Sequence, residues 1–374
     1  MRTDDGRERW TATETLRHNP LNAVTASVER VHLADGSTRV RKELRRPDTA
    51  DTGPWASSDD PRHWNYWRRE AEVYGSAAVR ADLRDTGLDL PGAHVEDGRV
   101  LWLEDVAGRP GPEFTLADHE RFATALGRWQ ARGPLEAPWT SRGFLRDYSA
   151  SKAAPYELVN DDRAWDQPLV RDCWPPRLRT GWGRLLAERA RLLAAMERLP
   201  RTFAHLDVWV SNAIARPDGR TVLVDWAFAG DGAIGEDPGN HVPDAAFDLF
   251  WPAERIAELD AAVTAAYLAG LREAGWAGDP AEVRLGIVAS CVKYAWLLPG
   301  MLARASATEH RAYHEVADAE HLYRQRGLVL THLTGWCEEA LGLLEAGRSR
   351  IGVQHVQALG RARDRDVEVV QATR

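Results

Sequence analysis

Residues 205–212 read HLDVWVSN, residues 216–219 read RPDG and residues 221–225 read TVLVD. Arg-Pro-Asp-Gly is turn chemistry: Pro presets φ, Asp hydrogen-bonds its own backbone and Gly accepts a positive φ. The runs on either side are short and apolar, so the stretch predicts a β-hairpin. His205, Asp207 and Asn212 fall in the loop leading into it, and Asp225 falls at the end of its second strand. Antiparallel pairing brings the open ends of a hairpin together, so Asn212 and Asp225 come to one place. Asp207, five residues before Asn212, can face the same space from the other side. Taken singly, each has an ordinary alternative: a cap, a satisfied histidine, a turn residue, a strand end. The ordered combination H-x-D-x-x-x-x-N, hairpin, Asp is the informative feature.

A carboxylate and an amide oxygen suit a hard cation such as Mg²⁺. A further carboxylate suits orienting a hydroxyl and taking its proton. Together these are the groups that phosphoryl transfer uses. HLDVWVSNAI…TVLVDWAFAGDG, within 205–232, resembles the catalytic core of the aminoglycoside phosphotransferase and choline kinase superfamily, relatives of the protein kinases. The resemblance implies an α+β, bilobal protein-kinase-like fold, with a small antiparallel-sheet N-lobe and a larger, mainly helical C-lobe. It implies a phosphotransferase with an alcohol group as acceptor: the γ-phosphoryl of ATP or GTP would move to a hydroxyl of an aminoglycoside, amino sugar, amino alcohol or similar small molecule. Mg²⁺ with ATP or GTP is the implied cofactor. Asp207 would be the catalytic base, His205 would organise the loop, and Asn212 and Asp225 would be Mg²⁺ ligands. Asp237, in GAIGEDPGN (232–240), would anchor the loop through hydrogen bonds; its ordinary alternative is a helix cap before Pro238.

The same resemblance places a phosphate-binding lysine on the second arm of an N-terminal hairpin, where RVRKEL (39–44) offers Lys42. Lys is scarce in this chain and Arg abundant, and Lys acts as a compact point charge on phosphate. Its partner glutamate would come from WRREAEVY (67–74), with Glu70 preferred to Glu72, although helical phase does not separate them. LWLEDV (101–106) resembles the hinge between lobes, where backbone groups of about Glu104 to Val106 would bind the adenine edge. ALGRWQAR (125–132) resembles the helix after the hinge. Three departures stand out: the candidate nucleotide loop NPLNAVT (19–25) has no glycine, Leu206 stands where many relatives have glycine, and bulky Trp209 lies within the catalytic loop. There is no H-R-D, D-F-G or A-P-E, so a protein kinase does not fit.

Further along the chain, Thr25–Leu33 and Thr38–Leu44 flank the turn ADGS (34–37) and read as a hairpin. Helical spacing appears over 63–80, 118–132, 180–197, 253–273, 280–305 and 308–344, the last holding more than one helix, while 202–250 reads as non-helical. Residues 1–12 read as frayed and 348–374 as a loose tail. The expected division is an N-lobe over 1–106 with a hinge near 103–107 and a C-lobe over 107–347.

A net charge of −8 argues against a nucleic-acid polymer or an anionic membrane as partner. Three well-separated cysteines (Cys173, Cys291, Cys337), no apolar leader and no uncharged apolar run of about 18 residues read as a cytoplasmic protein; the partners that the resemblance implies are nucleotide and a small hydroxyl acceptor, for a monomer or homodimer. Sixteen tryptophans read first as core and second as pocket walls. For the acceptor pocket the candidates are Trp209, Asp231, Asp244, Asp248, Lys293 and Trp296. The acidic stretch 231–260 suits an amine, whereas Lys293 within an apolar run suits a carboxylate or phosphate; the two hints conflict. The sequence leaves open antibiotic resistance or metabolism as the role. The alternative reading is a catalytically silent kinase-like binding protein, against which the intact base, metal pair and lysine speak. A hydrolase using His205 and Asp207 would need more His and Asp ligands nearby, and the only other histidine in 202–250 is His241.

Overall fold

The computed structural model describes residues 10–19, 22–48, 53–313 and 315–372, with side chains described to Gly347. Strands β1 (Trp10–Thr15), β2 (Thr25–Leu33) and β3 (Thr38–Leu44) follow one another, and Gly36 takes φ 85° in the β2–β3 turn. Helices α1 (Arg69–Gly75) and α2 (Ala77–Leu83) come next, then β4 (Leu88–Asp89), β5 (Ala93–Glu96), β6 (Val100–Glu104) and β7 (Arg109–Pro110). β1, β2, β3, β6 and β5 form, in that order, an antiparallel five-stranded sheet. Of the start expected to fray (1–12), residues 10–12 belong to a strand, because β2 offers an edge to pair with, and residues 1–9 lie outside the described residues. The single helix expected over 63–80 is two, broken at Ser76, whose extended backbone and side chain cap α2 by accepting from Val79 N–H.

The remainder is mainly helical: α3 (Leu116–Gln130), α4 (Phe144–Ser151), α5 (Asp162–Trp165), α6 (Pro168–Cys173) and α7 (Arg177–Arg198). Then β8 (Arg201–Ala204), β9 (Ala213–Ala215), β10 (Thr221–Leu223) and β11 (Gly230–Ala233) precede α8 (Glu236–Phe247). The expected β9–β10 hairpin forms in the register Ala213↔Leu223, and β8 pairs with β11. Helix α8 corrects the non-helical reading of 202–250: Pro238 sits in its first turn, where a missing N–H is harmless, and only Pro243 is interior. Last come α9 (Ile256–Glu273), α10 (Pro280–Ala289), α11 (Leu297–Leu302), a small hairpin of β12 (His310–Ala312) and β13 (Glu315–Ala317), and α12 (Ala319–Ala372). Residues 308–344 therefore hold a hairpin and part of one helix rather than several helices. The tail expected at 348–374 falls where side chains lie outside the described residues.

Eight of the sixteen tryptophans are buried, and Trp129, Trp182, Trp226 and Trp336 are among the largest fully buried side chains. Pro280–Leu302 is long and apolar enough to cross a membrane, yet 83% of its most apolar window is buried inside the protein. One buried carboxylate, Asp260 on α9, joins three helices by accepting from Arg284 on α10 (2.6 and 3.0 Å) and from Trp336 on α12 (2.8 Å).

Helices α3 and α9 meet at glycines. A methyl group added at Gly270 would fall on the Thr124 carbonyl, and one at Gly127 on the Tyr267 carbonyl, so the backbones themselves touch. Gly270→Ala must push the helices apart and is expected to destabilise by about 1–3 kcal/mol, the usual range for overpacking. Gly300→Ala, on α11 with nothing near its added methyl, is expected to be neutral or stabilising. Denaturant titration of the two variants checks the contrast.

Candidate active site

Strand β8 is buried and delivers the chain to His205 and Leu206. There the backbone reverses: Leu206 takes φ 67°, a left-handed conformation that costs an L-residue about 1–2 kcal/mol. Asp237, in the first turn of α8, holds the reversal. Its carboxylate accepts from His205 N–H at 2.9 Å, Leu206 N–H at 2.8 Å and the Gln130 amide at 2.6 Å. Gln130 in turn accepts from the Tyr267 hydroxyl, so α3, α8 and α9 all support the loop. Burial pushes the Asp237 carboxyl up to about 7, against the pull of the two backbone donors. His205 lies 3.1 Å from the Val224 carbonyl through Nε2; a carbonyl only accepts, so Nε2 carries the proton. Burial pushes this ring down to about 4, so it is neutral near pH 7, and its bond to the Val224 carbonyl braces the loop.

The loop then presents Asp207, passes through a turn at Val210–Asn212 and enters β9. Asn212 donates its amide N–H to the Asp207 carbonyl at 3.0 Å, and its own carbonyl accepts from Val224 N–H at 2.9 Å. That backbone bond closes the hairpin beside Asp225, which has φ 60° and a side chain 44% exposed. Burial pushes the Asp207 carboxyl up to about 6, while Lys293, Lys152 and Lys42 draw it down and Asp225 raises it.

Lys42, on β3 and buried, is 2.6 Å from Glu70 on α1 and 2.8 Å from Asp225. Burial alone would lower this ammonium, but the two carboxylates outweigh it and raise it. Burial likewise pushes Glu70 up, and the Lys42 charge resists. Glu72 instead pairs with Arg68 at the surface, 3.3 Å away, so the geometry separates the two glutamates that helical phase left open. Between them, Arg69 is wholly buried and donates to five carbonyls, those of Pro61, His63, Trp64, Trp139 and Ala227. It ties α1 to the chain just after Asp225 without using a carboxylate.

Glu104 ends β6, where its N–H is taken by the Gly92 carbonyl at 2.7 Å and its carboxylate by Arg216 at 2.7 and 2.8 Å. Among the described residues no protein group accepts from the Val106 N–H. The glycine-free loop 19–25 includes Pro20 and Leu21, which lie outside the described residues.

A cavity of about 200 Å³ opens beside Asp207. Trp209, Asp244, Asp248, Lys293 and Trp296 line it, as do Tyr148, Phe247, Tyr294 and Leu297. Asp231 does not belong with them. It pairs with Arg201 at 3.1 Å across β8 and β11 and faces a different hollow, because strand pairing turns it there.

No family model matches the chain, and no curated protein does. Solved structures are similar to it in fold. A choline/ethanolamine kinase family protein from Mesorhizobium loti is 15% identical over 89% of this chain and 92% of its own, with a TM-score of 0.48. A choline kinase from Streptococcus pneumoniae is 12% identical over 86% and 94%, at 0.45. An aminoglycoside phosphotransferase from Streptomyces rimosus, solved with ADP and streptomycin, is 21% identical over 74% and 92%, at 0.39. At such identities and scores these likenesses carry no functional weight, and the site's own geometry has to.

Sequence reasoning missed four residues here: Arg69, Trp55, Tyr148 and Lys152. One signal would have found Lys152. The chain has only three lysines, Lys42, Lys152 and Lys293, its other basic side chains being arginines. All three are buried, and all three bear on Asp207.

The left-handed Leu206 makes a stability prediction. Elsewhere Gly is less favourable than Ala by roughly 0.5–1 kcal/mol. Here Leu206→Gly and Leu206→Ala lose the same buried side chain, but only Gly is free of the φ strain. Leu206→Gly is therefore expected to match or exceed Leu206→Ala by about 1 kcal/mol in chemical denaturation.

Proposed function

We propose that the chain is a small-molecule kinase, transferring the γ-phosphoryl group of ATP or GTP to a hydroxyl of an acceptor bound in the cavity beside Asp207. The observation that supports this is one cluster of charges: Asn212 bonds to the Asp207 backbone, Lys42 bridges Glu70 and Asp225, and Lys42 and Asp225 both act on Asp207. In this reading residues 1–106 act as the nucleotide-binding lobe, with a hinge near 103–107, and 107–347 as the lobe that holds the acceptor. The Glu104 carbonyl and the Val106 N–H would meet the adenine edge.

The donor set suits Mg²⁺. With its N–H directed at Asp207, the Asn212 amide leaves Oδ1 without a protein donor among the described residues, and Asp225 adds a half-exposed carboxylate. No cluster of three His, Cys, Asp or Glu side chains could hold a metal alone among the described residues. That fits a cation completed by phosphate oxygens rather than by a protein cage. When bound, the ion would neutralise charge developing on the phosphoryl oxygens. Lys42, held by Glu70, places a fixed positive charge for the phosphates of the donor. Asp207 orients the acceptor hydroxyl and accepts its proton, and the Asp237 bonds keep it in place. The aromatic and acidic walls around it favour an amine-bearing acceptor.

A coupled ADP- or GDP-release assay with Mg²⁺, run against aminoglycosides, amino sugars, amino alcohols, hydroxy amino acids and neutral sugars, tests the reading. Acceptor-dependent release is expected, and Asp207→Asn should lower kcat by roughly 10²–10⁴-fold while leaving nucleotide binding intact. The thermal shift produced by Mg²⁺-nucleotide should vanish on chelation and in Asp225→Asn. A wild-type shift that survives both would sink the metal assignment, and no nucleotide shift at all would sink the kinase reading.

A further inference from the structure

The cavity beside Asp207 carries both signs of charge on its walls. Asp244 and Asp248 come from the end of α8, and Lys293 from the turn between α10 and α11. Lys293 is 4% exposed, and its one hydrogen-bonding contact among the described residues is a long 3.5 Å approach to the Leu206 carbonyl. Lys152, which follows α4, is 7% exposed and has no hydrogen-bond partner; its ammonium lies 3.2 Å from the Trp55 ring centre and 4.0 Å from that of Tyr148. Lys293 faces the same Tyr148 ring at 5.6 Å. Among the described residues neither lysine has a carboxylate within ion-pair distance.

A buried ammonium without an ion-pair partner is unfavourable: burial, with Lys293 adding to it, pushes Lys152 down to about 7, and only Asp207 at longer range resists. This protein uses Arg almost everywhere, so two of its three lysines standing unpaired about one tyrosine ring mark a place for an anion from outside. The opposite wall has the complementary lack. Asp248 is served by the Trp209 indole at 2.9 Å and by Arg326 at 3.7 Å, whereas Asp244, which accepts from the Tyr294 hydroxyl, has no cation within ion-pair distance among the described residues; burial pushes its carboxyl up to about 7 against the pull of Lys293. A cavity of about 200 Å³ is also below the roughly 300–1,000 Å³ typical of drug-sized ligands.

Resting on the kinase reading above, we propose that the acceptor is a small zwitterion: a hydroxylated molecule of amino-acid size whose ammonium group is taken by Asp244 and whose carboxylate is taken by Lys293. Lys152 adds positive potential behind the Lys293 wall, and the hydroxyl lies between the two charges, at Asp207. This accounts for an acidic and a basic wall in one pocket.

The test compares hydroxy amino acids with amino alcohols lacking the carboxylate and hydroxy acids lacking the amine, matched in length, by nucleotide-coupled turnover. The zwitterion is expected to exceed both in kcat/KM by at least about tenfold, the effect of one well-placed charge-assisted contact. Lys293→Met, which also removes a charge that draws Asp207 down, should slow both acceptors but cost the zwitterion at least about tenfold more in kcat/KM than the amino alcohol. Lys293→Arg, which keeps the charge, should retain part of the zwitterion's advantage, and both variants should show a wild-type melting shift with Mg²⁺-nucleotide. An amino alcohol used as well as the zwitterion, or a Lys293→Met loss equal for both, overturns the inference. So does a nucleotide shift with no turnover of any zwitterion, which leaves the kinase reading standing. Absence of any nucleotide shift removes that reading and this inference with it.

Discussion

Asp237 is the group on which the loop carrying Asp207 depends. It is buried, and its carboxylate receives two consecutive backbone N–H groups and one amide. Consecutive N–H groups point the same way only when the backbone between them is sharply turned, which is the conformation Leu206 shows. The carboxylate therefore selects a loop shape that the local chain resists. The support extends outward through Gln130 and Tyr267 to the α3–α9 contact, where glycines let two backbones meet. Helix packing and the position of Asp207 are thus parts of one arrangement.

The opposite side of the site is organised by Lys42. Its ammonium joins a strand of the five-stranded sheet, helix α1 and the far end of the β9–β10 hairpin. Arg69, one residue from Glu70, works beside it by a different means. It gathers five carbonyls from three stretches of chain, supplying hydrogen bonds to loops that have no secondary structure to satisfy them. A guanidinium suits that task because its donors radiate in a plane; an ammonium suits Lys42 because it is compact and can change partners.

What was legible in the sequence was what local chemistry dictates. Pro, Asp and Gly at 216–219 announce a hairpin, and a hairpin announces that its ends meet, so Asn212 and Asp225 could be placed together without a structure. The 34–37 turn marked β2 and β3 in the same way. Distant partners were not legible. Glu70 and Glu72 differ only in which side of a short helix meets a strand far away in the chain. Arg69 looks like any surface arginine until the loops it gathers are in place. Asp231 sat among plausible acids, and only the β8–β11 pairing turned it toward Arg201. Helix ends were misjudged where caps decide them, at Ser76, and α8 was missed because prolines at its first turn and interior masked its period.

The two halves of the site differ in how their charges are balanced. Lys42 already has two carboxylates, so an incoming phosphate must compete with Asp225 for it, and releasing Asp225 would leave a half-exposed carboxylate beside a second anion. On the proposed kinase reading, phosphate would be acceptable there only with a cation to take up Asp225, and this chain's own ion pair would tie nucleotide to metal. Around the cavity beside Asp207 the described residues supply no ion pair of this kind for Lys152, Lys293 or Asp244. Among the described residues Lys152 and Lys293 stand in apolar and aromatic surroundings with no carboxylate at ion-pair distance, and Asp244, bonded by the Tyr294 hydroxyl and drawn down by Lys293 from farther away, has no ion pair either. An interior with unmatched charges of both signs is costly to keep, and it discriminates strongly, because a ligand lacking either charge leaves one of them buried and unpaired.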